Sequence, residues 1–297
     1  MELAIGTVQF GMNYGVFNQE KKDVDYCIRC LDYATQNGIN AIDTATAYGI
    51  AEQVTGKFLK KRTISREKLF VSTKLLPNIL DDYEQKDYVA IIRDNLIKSL
   101  QVLNLDYVDA YFLHSSRYAH RPDILAALEE VKKEGLACHV GVSVYDTDEA
   151  IACIKSPFVD YIQAPYSVFD HRMKDKNVFK MSQQNGCTTD TRTAFVKGLI
   201  RLSVDEVPDY LADAKPILDK LDQICKKTGY TRIELALNYI KREKEINHLV
   251  FGIRDLEQLQ EDIAAFDKDV SEDVLDLLDQ EFTDIDTNIV IPSLWKK

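Results

Sequence analysis

Eight short apolar runs, each followed by a longer amphipathic stretch, constrain this chain more than any other feature. The runs are LAIGTV from Leu3, NAID from Asn40, LFVSTK from Leu69, DYVDAYFL from Asp106, ACHVGVSV from Ala137, FVDYIQAP from Phe158, CTTDTR from Cys187 and HLVFGI from His248. Helical periodicity fills the intervals, over about 23–37, 51–61, 86–103, 122–134, 147–155, 174–185, 209–228 and 231–243, with further helices near 255–265 and 271–280. Gly38, Gly135 and Gly186 stand where three of these helices stop. Strand–helix units repeated to eight predict a single-domain α/β fold, the (β/α)8 or TIM barrel, over 1–297, with a C-terminal tail of about 281–297 near its mouth. An open dinucleotide-binding sheet would want Gly-x-Gly-x-x-Gly after an early strand, and Gly6-Thr-Val-Gln-Phe-Gly11 lacks that spacing.

Charge and composition narrow the partners. The 37 basic and 48 acidic residues leave a net charge of -11, which argues against nucleic acid and anionic membranes. No apolar run approaches the roughly 18 residues of a membrane span, and the N-terminus opens on LAIGTV without a basic and apolar leader, so a soluble cytoplasmic protein is expected. Six cysteines are scattered along the chain. Cys27 and Cys30 share the apolar face of one predicted helix with Leu31 and Ala34, and no second pair or nearby histidine completes a metal site, so buried reduced thiols are expected and no metal.

The residues that carry chemistry sit at or just past strand ends. Asp43 closes the second run and Tyr48 follows it, Lys74 closes the third, and His114 follows the fourth. A barrel of parallel strands gathers these C-terminal ends at one mouth. Together an acid, a phenol, an amine and an imidazole specify proton transfer to or from oxygen. A lysine ammonium lowers the pKa of a neighbouring tyrosine, the aspartate holds the lysine charged, and the histidine hydrogen-bonds the reacting oxygen or relays its proton. Such a centre suits carbonyl reduction.

With these residues in place, the chain resembles the aldo-keto reductases. The matching stretches are Gly6-Thr-Val-Gln-Phe-Gly-Met, Asp43-Thr-Ala-Thr-Ala-Tyr-Gly, Ser72-Thr-Lys74, Asp109-Ala-Tyr-Phe-Leu-His114, Gly141-Val-Ser143, Asp160-Tyr-Ile-Gln163 and, more weakly, Gly252-Ile-Arg-Asp-Leu-Glu-Gln-Leu. The resemblance implies NAD(P)H-dependent reduction of an aldehyde or ketone, or the reverse, with Tyr48, Lys74, Asp43 and His114 catalytic. It places Gly6, Thr7, Val8 and Asp43 beside the cofactor, Ser143 and Gln163 at the nicotinamide carboxamide, and Lys197 with Gly198 at the pyrophosphate. Arg254, Gln258, Glu261 and Asp262 would meet the adenosine end. The short N-terminus lacks room for the extra hairpin that plugs the barrel base in many members.

Three positions depart from the family pattern. Val144 follows Ser143 where an asparagine is frequent. Arg192 stands where an aromatic residue commonly stacks on the nicotinamide, and its charge should disfavour the cationic oxidised cofactor. At the adenosine end Arg254 has Asp255 beside it and Gln258 where an arginine is frequent. The balance tips slightly to NADPH over NADH, on the family's prevailing preference.

Tyr48, His114, Ser115, Arg117 and Trp295 are the expected substrate contacts. The polar loop Ser115–Arg121 and the cluster Tyr166, Asp170, His171 and Arg172 favour a polar, sugar-like or anionic small-molecule carbonyl compound, unless those side chains pair with local acids such as Asp123. Trp295 closes over the pocket or anchors the tail. Two other readings stay open, a cofactor-binding regulatory subunit with little turnover and a Schiff-base barrel lyase using Lys74. Oligomeric state is not legible.

Overall fold

The computed structural model describes residues 1–16 and 22–295. Eight parallel strands close into a barrel in chain order: β1 (Glu2–Gly6), β2 (Ala41–Asp43), β3 (Phe70–Leu75), β4 (Val108–Leu113), β5 (Ala137–Ser143), β6 (Tyr161–Pro165), β7 (Thr188–Arg192) and β8 (His248–Gly252), with β8 pairing back onto β1. Between them run the helices Val24–Gln36, Ala51–Lys61, Tyr88–Leu103, Pro122–Lys133, Thr147–Lys155, Val178–Gln184, Lys215–Thr228 and Arg232–Lys241, and Leu256–Asp267 and Glu272–Glu281 follow β8. No described helix is long and apolar enough to cross a membrane.

The period-2 alternation of each strand divides its side chains between two environments. Ile5, Ile42, Val71, Tyr111, Val142, Ile162 and Leu249 join the main core shared with the helices. The alternate positions fill the barrel. Small residues on some strands make room for large ones on others: Ala4, Ala41 and Val250 pack with Phe70, and Ala110 packs with Phe112 and Tyr161. Gly141 is required there, because a Cβ would stand 2.2 Å from the Tyr161 carbonyl oxygen.

The barrel floor is closed by its own side chains, the rings of Phe70 and His248 lying 4.6 Å apart. Below Phe112 the Tyr161 hydroxyl donates to Asp190 (2.7 Å), whose Oδ1 also lies 2.9 Å from Nδ1 of His248. The buried Asp190 carboxylate raises the His248 pKa against the opposing effect of burial.

Several boundaries differ from the sequence expectation. β1 ends at Gly6 instead of Val8, because Thr7 turns out of the ladder to give its N–H (2.9 Å) and hydroxyl (3.1 Å) to the Asp43 carbonyl. Val8–Gly11 then forms one helical turn. The helix expected over 174–185 is split into Arg172–Asp175 and Val178–Gln184 by Asn177, whose φ of 55° is left-handed. The segment expected as helix from 209 begins as a 3-10 stretch, Asp209–Ala214, interrupted at Leu211, and becomes α-helical from Lys215. β6 starts at Tyr161 and not Phe158, since Asp160 spends its carboxylate on Lys132 (2.5 Å), His139 (3.0 Å) and the Val140 N–H (2.9 Å). Cys27 and Cys30 are buried thiols outside any disulfide, and burial pushes the Cys30 thiol up to about 12. Among the described residues no group of three or more His, Cys, Asp or Glu side chains is placed to hold a metal ion.

Candidate active site

The parallel register sets Gly6 beside Asp43, Asp43 beside Ser72 and Ser143 beside Gln163, all at the C-terminal end of the barrel. Beyond β2 the chain crosses toward β3, Thr44 giving its N–H to the Ser72 carbonyl (2.9 Å) and Thr46 its hydroxyl to the Lys74 carbonyl (3.0 Å). The loop then packs flush against the turn Val8–Gly11. A Cβ on Gly11 would stand 1.6 Å from the Tyr48 carbonyl oxygen, so only glycine lets the turn hold the Tyr48 backbone in place.

The structure brings the four predicted residues together. Lys74 is 1% exposed, and its ammonium donates to both Asp43 oxygens (2.6 and 2.5 Å) and to the Thr44 carbonyl (3.1 Å). Ser72 (2.8 Å) and the Gln163 amide (2.9 Å) complete the shell of the Asp43 carboxylate. The Lys74 nitrogen lies 5.4 Å from the centre of the Tyr48 ring, and the His114 imidazole meets that ring edge-on at 5.6 Å.

Electrostatics here depart from expectation in one respect. The Tyr48 pKa is raised, first by burial and then by Asp43, while the charge pulling it down is Arg192. The three N–H groups of Lys74 go to Asp43 and Thr44. Burial also lowers the Lys74 pKa, against the pull of Asp43. His114 is pushed down to about 3 by burial and by the Lys74 and Arg192 charges, so it is a neutral imidazole at any working pH. Its Nδ1 is buried without a partner among the described residues, which fits an acceptor there and the N–H on Nε2.

Two cavities meet at this cluster. The larger, about 1050 Å³, runs from Asp43, Tyr48 and Gln163 past Arg192, Lys197 and Gly198 to Arg254, Gln258 and Glu261, with Gly6 and Val8 also in its wall. Thr7, fully buried, supports that wall from behind. The smaller, about 140 Å³, is lined by Tyr14, Tyr48, His114, Ser143, Tyr145, Arg192, Thr193, Lys197, Pro292 and Ser293. Lys197 and Gly198 both have positive φ (55° and 96°), turning the backbone sharply at the junction of the two.

A cavity of this size, with cations in its wall and the buried amide of Gln163 held by Asp43, fits a dinucleotide. At its far end Arg254 pairs with Asp255 (2.7 Å), and Arg201 pairs with Glu261 (3.0 Å) and with the buried Asp262. Gln258 accepts the Arg254 N–H (2.9 Å). Val144 gives its carbonyl to Arg192 (2.7 Å) where an asparagine side chain was missing from the pattern.

The expected substrate loop is engaged elsewhere. Ser115 is buried and exchanges hydrogen bonds with Asn78 (2.7 and 2.8 Å), and Arg117 pairs with Asp81, so neither lines the two cavities. Arg121 pairs with Asp123 and Arg172 with Asp170 (2.7 and 2.8 Å). Tyr166 and His171 are buried against Tyr239. Trp295 donates to the Ile289 carbonyl (3.1 Å) and anchors the tail, while Pro292 and Ser293 reach the small cavity in its place; residues 296 and 297 of the expected tail lie outside the described residues. Sequence reasoning missed Tyr14, Tyr145 and Thr193. Tyr145 and Thr193 follow strand ends closely and were findable by that rule; Tyr14, reached through the turn Val8–Gly11, carried no such signal.

A closed eight-stranded parallel barrel with this cluster and a cavity of this size at its C-terminal mouth defines a class, the barrel oxidoreductases that use a nicotinamide dinucleotide. The model of the aldo/keto reductase family matches residues 2–281, and the chain belongs to that family. Among curated relatives, the NADH-specific methylglyoxal reductase of Escherichia coli (strain K12) is 28% identical over 281 residues, 84% of this chain and 85% of that protein. The L-galactose dehydrogenase of Arabidopsis thaliana is 27% identical over 258 residues, covering 81% and 78%. The holo form of an aldo-keto reductase from Bacillus halodurans, AKR11C1, has the same fold, with a TM-score of 0.77, 24% identity and coverage of 94% and 91%. The protein is thus an NAD(P)H-dependent oxidoreductase that interconverts carbonyl compounds and alcohols.

Proposed function

We propose that the enzyme reduces small polar carbonyl compounds with NADH, using Tyr48 as the proton donor. The observation that carries this is the meeting of Tyr48 and His114, seated over the Lys74–Asp43 pair, at the point where the two cavities join. NAD(P)H, when bound, supplies the hydride. The carbonyl carbon accepts it, the C=O π bond breaks toward oxygen, and that oxygen takes the Tyr48 proton, which solvent restores. Burial keeps Tyr48 protonated, as a donor must be, and the neutral His114 offers one N–H to orient the oxygen. Lys74 and Asp43 hold the ring from below and present a fixed charge pair to the developing alkoxide.

The preference for NADH replaces the slight lean to NADPH. A 2′-phosphate would meet Glu257 and Glu261 in the cavity wall and arginines already paired with acids: Arg201 with Glu261, Arg232 with Asp222 (2.6 Å) and Arg254 with Asp255. A ribose hydroxyl needs only an acceptor, which those carboxylates supply. The NADH-specific relative supports the same choice. A reducing, cytoplasmic compartment suits the cysteine thiols at 27, 30, 138, 153, 187 and 225.

The test is Tyr48→Phe. Carbonyl-dependent NADH oxidation should fall by about 10²–10⁴-fold, while the NADH dissociation constant, read by fluorescence titration, stays within a few-fold. Near-normal turnover would remove Tyr48 from the reaction.

A further inference from the structure

Arg192 differs from every other arginine that lines the two cavities. Arg201, Arg232 and Arg254 each hold a carboxylate. Arg192, half-buried at the end of β7, forms no ion pair among the described residues. It donates to the Val144 carbonyl (2.7 Å) and the Thr193 hydroxyl (3.2 Å), and its guanidinium lies 4.4 Å from the centre of the Tyr145 ring. These partners are all neutral. They fix where the group points and leave its charge uncompensated, and a charge withdrawn from water is unfavourable without a counter-ion.

The small cavity supplies none. Its wall contains Arg192 and Lys197 and, among the described residues, no carboxylate. Asp43, the nearest acid among the reacting groups, is spent on Lys74. The positive charge of Arg192 reaches the reacting groups themselves, pulling down the pKa values of Tyr48, His114 and Lys74. Arg192 also lines the larger cavity, where the dinucleotide's pyrophosphate would meet Lys197 and Gly198; a counter-ion for Arg192 itself would then belong on the molecule whose carbonyl oxygen meets Tyr48 and His114. Size points the same way: a cavity of about 140 Å³ suits a small compound.

We propose that the substrates are small oxo acids, with the carboxylate beside the reacting carbonyl and Arg192 holding that carboxylate. The inference rests on the carbonyl-reductase reading and names the substrate class of the same site. The oxo group becomes a hydroxyl by the hydride and proton already described, and the carboxylate is unchanged.

Glyoxylate and methylglyoxal test this, being aldehydes of equal non-hydrogen atom count that differ in charge. The wild type should show a kcat/KM for glyoxylate at least about tenfold above that for methylglyoxal, and Arg192→Gln should lower that ratio by about ten- to hundredfold, the range of a lost hydrogen bond to a charged group. Arg192→Lys should keep most of the preference, which separates charge from fold. Calorimetric titration with oxamate, an unreactive carboxylate of similar shape, should follow the same order of affinities in the NADH-loaded proteins. A wild type that favours methylglyoxal or treats the two alike overturns the inference and leaves the carbonyl-reductase reading standing. So does an acid-to-neutral ratio that Arg192→Gln does not change. Failure to turn over any carbonyl compound overturns both.

Discussion

Replacing Asp43 by asparagine should expose how the barrel tolerates a buried ammonium. The Asp43 carboxylate accepts from Lys74 at 2.6 and 2.5 Å, from Ser72 at 2.8 Å and from Gln163 at 2.9 Å. Lys74, 1% exposed, would retain the Thr44 carbonyl and an amide oxygen but lose its counter-charge. Removing one partner of a buried pair costs about 3–5 kcal/mol, which at about 2–4 °C per kcal/mol lowers Tm by roughly 6–20 °C. The loss should depend on pH in a defined direction. Burial already holds the Lys74 pKa below its ordinary value, and the two largest effects opposing this come from Asp43, so the variant's value falls further. Between that lowered value and the ordinary lysine value the unfolded chain binds the extra proton, so stability rises with pH across a window that widens downward in the variant. Asp43→Asn combined with Lys74→Met removes the stranded charge and should recover most of the loss. Thermal unfolding of the two single variants and the double variant over a pH series measures this. A single variant within about 1 kcal/mol of wild type, or a double variant as unstable as the sum of the singles, would refute the argument.

Other consequences are as direct. Lys74→Met should depress turnover with Tyr48→Phe but leave Tyr48 protonated, so the steady-state pH profile must not gain a tyrosine ionisation near neutrality. Asp262 is pushed up to about 7 by burial despite Arg201, so the native state holds a proton that the unfolded state releases above the ordinary carboxylate range. Stability should therefore fall as pH rises from about 4 to 7, and Asp262→Asn should flatten that fall in denaturant titrations. Glu257→Gln with Glu261→Gln should raise NADPH affinity relative to NADH, since a 2′-phosphate would no longer face two carboxylates; an unchanged ratio of dissociation constants would sink the proposed basis for NADH preference.

The barrel was legible because hydrophobic periodicity is local. The strand and helix runs needed only the spacing of apolar residues and stops such as Gly38 and Gly135. The exceptions fall where contacts distant in sequence override the local pattern: Thr7 leaves β1 for the Asp43 carbonyl, and Asp160 leaves β6 for Lys132 and His139. The candidate cluster was legible for a related reason, since parallel topology brings every strand's C-terminal end to one place whatever the packing details.

Which charges pair was not legible, because pairing depends on a few ångströms of side-chain placement between strands far apart in sequence. Ser115 and Arg117 lie in the expected mouth loop, yet Asn78 and Asp81, across the neighbouring loop, claim them. Arg254, read as a candidate phosphate ligand with Asp255 beside it, is held by Asp255 itself. Sequence alone therefore determined the barrel, its mouth and the identity of Asp43, Tyr48, Lys74 and His114, all consequences of periodicity and strand order. Tertiary structure alone decided that Lys74 is saturated by Asp43 and Thr44, that His114 stays neutral, and that Arg192 faces neutral partners. Burial and counter-ion geometry set protonation and partner choice, and both exist only once the strands have closed.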